Sequence, residues 1–382
     1  MMRRHLMSSL LVTVLAVFPA THAEGQSRYT FTRIADTSDF PDGIRVPVAL
    51  NDDGQVAFVA SPTGEVTGVF AGRGGAIAAV ADTSRTFTFF GFPGINGRGQ
   101  VTFFANKGDH LGGYYAGPDG VTTIVETRGA VLGSGGDIFS SPSGSFSAVE
   151  LVPRLPREPQ VIVAGDGGRV IRIADTSGLF QSLDIDPRVN ASGRVAFHAM
   201  RRDFSDGIFV GQGGAVTIIA DTSGPFASFK DAPAINDRGD VLFQACVNAA
   251  DGSVIAGLFL SRGGEIRRVL DSTGAFGDFG TYPGLNARGQ IVFQGTVNPD
   301  PQSPDASRLS GIFTGGDPVA DRVIATGDAL DGSTVLSFDP SSFVSSVNNA
   351  GQIAFLAFLA DGRTGVYRAD PIRGGHDSEG DR

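Results

Sequence analysis

Five aspartates stand in the same local phrase: Asp36, Asp82, Asp175 and Asp221 each precede Thr-Ser, and Asp271 precedes Ser-Thr. Repeated carboxylates suggest calcium, but calcium needs six to eight converging oxygens. Single aspartates separated by tens of residues do not supply them. An Asp before a hydroxyl residue reads instead as a turn closed by its own side chain. Histidines offer less. After residue 23 only His110, His198 and His376 occur, with one cysteine, Cys246, and no His-Glu-x-x-His spacing, so no zinc centre is expected. No Gly-x-Ser-x-Gly elbow and no phosphate loop occurs. No catalytic residue, metal or cofactor is therefore assigned. Residues that break the repeat pattern are the better candidates for function. Glu150, Arg154 and Arg157, in a degenerate copy, are candidate binding residues. His198, where other copies have Val, Gln or Leu, is a fourth, although a satisfied lone histidine is the plainer reading.

The pattern they break is a turn followed by a strand. Asn51-Asp-Asp-Gly54 runs into Val-Ala-Phe58, and the phrase returns from Asn96 to Gly99, Asn190 to Gly193, Asn236 to Gly239, Asn286 to Gly289 and Asn348 to Gly351. A worn copy, Ser141-Pro-Ser-Gly144, keeps only the glycine. Asn first and Gly fourth suit a type I turn closed by a left-handed residue, the link between antiparallel strands. The β-branched and aromatic run behind it reads as the outgoing strand. The seven copies begin 45, 45, 49, 46, 50 and 62 residues apart. A period of roughly 40–50 residues is that of one four-stranded propeller blade.

The rest of each repeat supplies two further strands. A Gly-Ile-Phe type strand (Gly68-Val-Phe70, Gly207-Ile-Phe209, Gly257-Leu-Phe259) leads through a Gly-rich turn to the strand ending in the aspartate phrase. Apolar anchors such as Phe226 with Phe229, Phe276 with Phe279 and Phe180 with Leu183 are expected to pack one blade on the next. The last copy stops after its third strand, and the chain begins with a fourth-type strand that has no blade. Both ends are explained if the segment from Tyr29 to Ile34 completes the last blade. The expected fold is therefore all-β: a seven-bladed β-propeller of four-stranded blades, closed by the N-terminal strand and left without free edges. Pro- and Asp-rich inserts at 151–159, 248–252 and 298–307 fall between second and third strands, so they should project from one face.

Residues 1–23 read as a signal peptide: Arg3, Arg4 and His5, an apolar stretch from Leu6 to Phe18, then Thr21-His-Ala23 as cleavage site. Residues 24–370 form the propeller and 371–382 a polar, disordered tail. The formal charge of −10 would become −12 on loss of Arg3 and Arg4. An acidic chain with no basic stripe argues against nucleic-acid binding. No later apolar run reaches membrane-spanning length. The product is expected to be periplasmic or extracellular and monomeric. Cys246 has no partner for an internal disulfide.

The Asn-x-x-Gly-x-x-Ala-Phe phrase, with Gly-Ile-Phe and Ile-Ala-Asp-Thr downstream, resembles exported bacterial tandem-repeat proteins named for that motif. The resemblance implies export and a repeat fold, and transfers no functional residue. Function is therefore expected to be non-enzymatic binding of a protein, glycan or small ligand. A propeller hydrolase or lyase with a site at the central channel, and a structural envelope component, are the alternatives; fold alone does not choose between them.

Overall fold

The computed structural model describes residues 28–372, apart from 65, 85–86, 109, 118–119, 129–137, 153–157, 185, 231, 300–307 and 340–346. The expected signal peptide and nearly all of the expected tail lie outside the described residues, as does most of the insert at 298–307. Among the described residues there is no helix.

The turn residue Asn does two jobs in one place. Its Oδ1 accepts the backbone N–H four residues on: Gln55, Arg194, Asp240 and Gln352 lie 2.9, 3.1, 3.0 and 3.0 Å from Asn51, Asn190, Asn236 and Asn348. The turn glycines 54, 99, 193, 239, 289 and 351 all have φ between 75° and 83°, where a Cβ would clash with backbone. The amide nitrogen Nδ2 then reaches out of the turn to the backbone carbonyl of the next copy's Asn. Asn51 bonds Asn96, Asn190 bonds Asn236, Asn236 bonds Asn286 and Asn286 bonds Asn348, all at 3.0–3.1 Å. Asn348 bonds Asn51 at 2.9 Å. These amides are buried, so each bond satisfies a donor that would otherwise be costly to bury.

Among the described residues the repeats form seven antiparallel sheets. In chain order they cover 44–82, 89–128, 138–175, 180–221, 226–271, 276–325, and 329–371 joined by the N-terminal strand; we number them one to seven. Inner strands of successive sheets touch from sheet one through sheet six, and sheet seven touches both six and one. Sheets meeting in this cyclic order around their inner strands make a β-propeller. Side chains alternate across each strand, and both faces of the second and third strands are buried because a neighbouring sheet covers each. Phe58 with Phe70, Phe197 with Phe209, and Phe243 with Phe259 stack across those strands with centroids 5.8–5.9 Å apart.

The anchors pack one sheet on the next and are also part of a strand. Phe180–Leu183, Phe226–Phe229 and Phe276–Phe279 are strands in their own right, each paired with the second strand of its own sheet. They are the outer half of the inner strand. Their rings cap the stacked pairs edge-on: Phe180 lies 5.0 Å from Phe209 and Phe226 5.0 Å from Phe259. They also meet the preceding sheet, since Phe226 and Phe229 share a core with Ile208 and Val210. The inner strand resumes at Arg188–Val189, Ala234–Ile235 and Gly284–Leu285. Between the halves is a break that ends in a proline in each case, Pro187, Pro233 and Pro283, because proline has no N–H for the ladder.

At the chain ends, Tyr29–Asp36 pairs antiparallel with Thr364–Pro371, from Tyr29 opposite Pro371 to Asp36 opposite Gly365. Arg363 ties this seam, its guanidinium lying 3.0 Å from Asp36, 2.7 Å from Asp331 and 2.8 Å from Asp361.

Candidate functional site

The second strands of sheets three to six carry a polar residue at one shared register. Glu150 lies opposite Ile162, His198 opposite Ile208, Gln244 opposite Leu258 and Gln294 opposite Ile312. Glu150 and His198 are thus structurally equivalent, which an extra residue in the worn turn of copy three conceals in the sequence. Glu150 is 0% exposed, and neither carboxyl oxygen has a hydrogen-bond partner among the described residues. Burial, and then the charges of Asp184 and Asp186 in the inner-strand break of sheet four, push its carboxyl up to about 8. At neutral pH it is a protonated acid sealed between two sheets. Arg154 and Arg157 lie outside the described residues.

His198 is held by two carboxylates. Nδ1 meets Asp184 Oδ2, and Nε2 meets Asp206 Oδ1 at 2.5 Å. Both ring nitrogens therefore face carboxylate oxygens. Burial raises Asp206, but the His198 contact and the Phe229 and Gly207 amides outweigh it and hold its carboxyl below the usual range. A histidine with both nitrogens engaged has no lone pair for general-base work. The arrangement cross-links the inner-strand break to the second and third strands of sheet four.

Among the described residues the channel is largely filled. Arg188 lies across it, with its guanidinium carbon 3.7 Å from the ring centre of Phe139 and 5.3 Å from that of Tyr282. Toward the Asn turns, Val189, Ile235, Leu285 and Val347 line the wall. The worn turn of copy three covers the mouth: the Pro142 carbonyl accepts from Asp52 N–H at 3.0 Å and Ser143 Oγ donates to Asp237 Oδ2 at 2.5 Å. Asp52 and Asp237 belong to copies one and five, so this turn leans across the opening. It can do so because Gly97 has no side chain; a Cβ there would fall 2.4 Å from the Ser143 carbonyl group. Two adjoining cavities of about 40 and about 20 Å³ are found there, room for a few waters at ~10–15 Å³ each, far below the ~300 Å³ or more of an organic-ligand pocket.

The repeated aspartates turn onto their own backbone. Asp36, Asp82, Asp175, Asp221 and Asp271 accept the N–H two residues on at 2.7–3.0 Å. No group of three His, Cys, Asp or Glu is placed to hold a metal ion among the described residues.

One hairpin differs from its equivalents. Between the second and third strands, sheets five and seven turn through Asp251-Gly-Ser253 and Asp361-Gly-Arg363, with Gly252 and Gly362 at φ 85° and 88°. Sheet four has Asp203-Phe-Ser205, and Phe204 holds the same left-handed backbone at φ 65°. The same bonds close all three turns. Phe204, Gly252 and Gly362 donate to the carbonyls of Arg201, Ala249 and Leu359, each at 3.0 Å. A side chain there costs about 1–2 kcal/mol, and Phe204 recovers nothing by burial, being 74% exposed.

Antiparallel sheets in cyclic order around a largely filled channel, with hairpins along one face, define the class: a β-propeller. Residues 116–366 match the model of a family of unknown function, DUF7453, and the chain belongs to that family. A search of curated proteins found no match. Among solved structures, one from a study of two prolyl endopeptidases is 10% identical with a TM-score of 0.51. It covers 88% of this chain, which spans about half (51%) of that one. A polysaccharide lyase (11% identity, TM-score 0.46, 87% and 90% covered) and a fungal lectin from Aleuria aurantia (9%, 0.34, 75% and 92%) superpose less well. At such identities the peptidase likeness speaks to fold alone, and the other two carry no argument. No helix among the described residues is long and apolar enough to cross a membrane.

Proposed function

We propose that this protein is an exported, seven-bladed propeller that acts as a non-enzymatic binding module, using the hairpins between second and third strands as its contact face. Seven sheets, seven turn phrases and the N-terminal strand paired to the last sheet support the blade count. The resemblance to exported tandem-repeat proteins and the signal-like residues 1–23 support a periplasmic or extracellular location.

The observation that carries the reading is a contrast between the two places where function could sit. Among the described residues the channel is filled by Arg188 between Phe139 and Tyr282 and covered by Pro142 and Ser143, with cavities of only about 40 and about 20 Å³. The hairpin face instead carries an exposed aromatic on an unfavourable backbone, Phe204. A hydrolase or lyase needs reactive groups that a substrate can reach. Here Glu150 is sealed and both nitrogens of His198 are engaged.

The test is selective blocking. In a Cys246→Ala background, Ala250→Cys on the hairpin face or Arg98→Cys on the turn face is conjugated to a bulky polyethylene glycol. Each conjugate is then mixed with envelope and secreted fractions of the producing organism. Blocking at 250 should abolish co-sedimentation and blocking at 98 should not; the reverse pattern, or turnover of a substrate by both conjugates, overturns the reading.

A further inference from the structure

Phe204 occupies a glycine's position and is paid for by nothing in the fold. Its hairpin is nevertheless held rigid. Arg202 donates from Nε to the Gly178 carbonyl and from Nη2 to the Thr176 carbonyl, both at 2.7 Å, while its backbone N–H donates to Leu179 at 3.1 Å. These bonds staple the hairpin to the neighbouring turn and bring up Leu179, itself 47% exposed. The result is an aromatic ring on a hydrogen-bonded support, with a second exposed apolar residue in the turn to which that support is tied. Neighbouring polar groups in the same hairpin are Asp203, which accepts from the Ser205 amide at 3.0 Å and its hydroxyl at 2.6 Å, and Arg201, 3.4 Å from both Asp203 and the Ser205 hydroxyl.

The size of this feature decides its partner. One phenylalanine ring and one leucine expose roughly 150–250 Å² of apolar surface. A stable protein interface buries about 800 Å² on each side, several times more. One sugar ring has matching dimensions. Its C–H face is apolar and slightly positive, suiting the negative face of an aromatic ring, and its equatorial hydroxyls fall where a carboxylate and a guanidinium can bond them. We propose that Phe204 is a stacking platform for a pyranose ring of a neutral polysaccharide, with Leu179 extending the platform and Asp203 and Arg201 bonding the hydroxyls. This rests on the binding-module reading and names the ligand class of its contact face.

The experiment is native electrophoresis through gels cast with soluble xyloglucan, galactomannan or hydroxyethyl cellulose. Wild type should be retarded in at least one. Phe204→Gly restores the residue used by the equivalent hairpins, so it should fold at least as stably, with an unchanged or higher Tm, yet need at least tenfold more polysaccharide for the same retardation. Phe204→Tyr keeps the ring and should keep the retardation. Equal retardation of Phe204→Gly and wild type overturns the proposal, as does wild type running freely in all three gels. If wild type runs freely while blocking at 250 still abolishes co-sedimentation, only the glycan assignment falls; if that blocking has no effect either, the binding-module reading falls with it.

Discussion

Asn348 donates its side-chain amide to the backbone carbonyl of Asn51 across 2.9 Å, joining residues 297 positions apart. The same bond runs between neighbouring copies elsewhere, but this one links the last copy to the first. It works beside the pairing of Tyr29–Asp36 with Thr364–Pro371, so the chain ends meet both at the channel and at the rim. Replacing Asn348 with Ala removes four bonds, to Asn51, Ala350 and Gln352, from a fully buried site. At about 1 kcal/mol each, urea denaturation should show a loss of ~3–4 kcal/mol. Asn96→Ala should cost less, because the altered turn of copy three presents a carbonyl farther away and the outward bond stretches to 3.5 Å at Ser145.

Glu150 makes stability fall with rising pH. Unfolded, the carboxyl titrates at its ordinary 4.5; folded, burial and the nearby Asp184 and Asp186 hold its proton to about 8. The folded state therefore binds more protons between those values, and stability declines through that window and levels off above it. Urea midpoints of the wild type should drop between pH 5 and 9. Glu150→Gln, which installs the residue found at the equivalent positions 244 and 294, should flatten the profile; a wild-type midpoint constant over that range would contradict the assignment.

Gly97 keeps the channel turn in place. A Cβ there would overlap backbone atoms of Ser143, and backbone cannot rotate away as a side chain can. Gly97→Ala should cost ~1–3 kcal/mol and displace the 141–145 turn in a crystal structure. Gly178, with nothing within 4 Å of its would-be Cβ, is the control: Gly178→Ala should stay within ~0.5 kcal/mol of wild type.

Arg363 secures the first strand. It pairs with Asp36, whose side chain is wholly buried. Burial raises Asp36, but Ser38, Arg363 and Arg33 outweigh it and hold the carboxyl below its usual range. That stability is present above the ordinary value of 3.8 and is lost as pH falls toward the depressed one. Arg363→Gln should speed amide exchange in residues 29–36 by about tenfold or more, an opening cost of ~1.4 kcal/mol, while exchange in 195–201 stays unchanged.

Repetition made the fold legible and also hid the sites. Asn51 and Gly54 announce a turn because the same demands on side chain and backbone recur at each copy. The unpaired strand at Tyr29–Asp36 is readable because a fourth strand is missing at the other end. What spacing could not convey is the company Glu150 keeps. Asp184 and Asp186 lie in a break of the inner strand whose sequence differs in every sheet, so no pattern tied them to it. Likewise Phe226 and Phe229 are readable as contacts between blades but not as strand residues, because the break at Pro233 disguises one strand as two. Phe204 did leave a trace. Asp203-Phe-Ser205 aligns with Asp251-Gly-Ser253, and a phenylalanine in a glycine's place is visible once the hairpins, rather than the Asn turns, are set in register.

The measurement closest to the central claim is hydroxyl-radical footprinting of the protein, alone and with the fraction it co-sediments with. Protection should fall on the hairpins at 201–205, 249–254 and 361–363, with Phe204 the most protected side chain. Protection confined to the Asn turns and to Pro142, with Phe204 as reactive as in the free protein, would place the contact at the channel mouth and contradict the account.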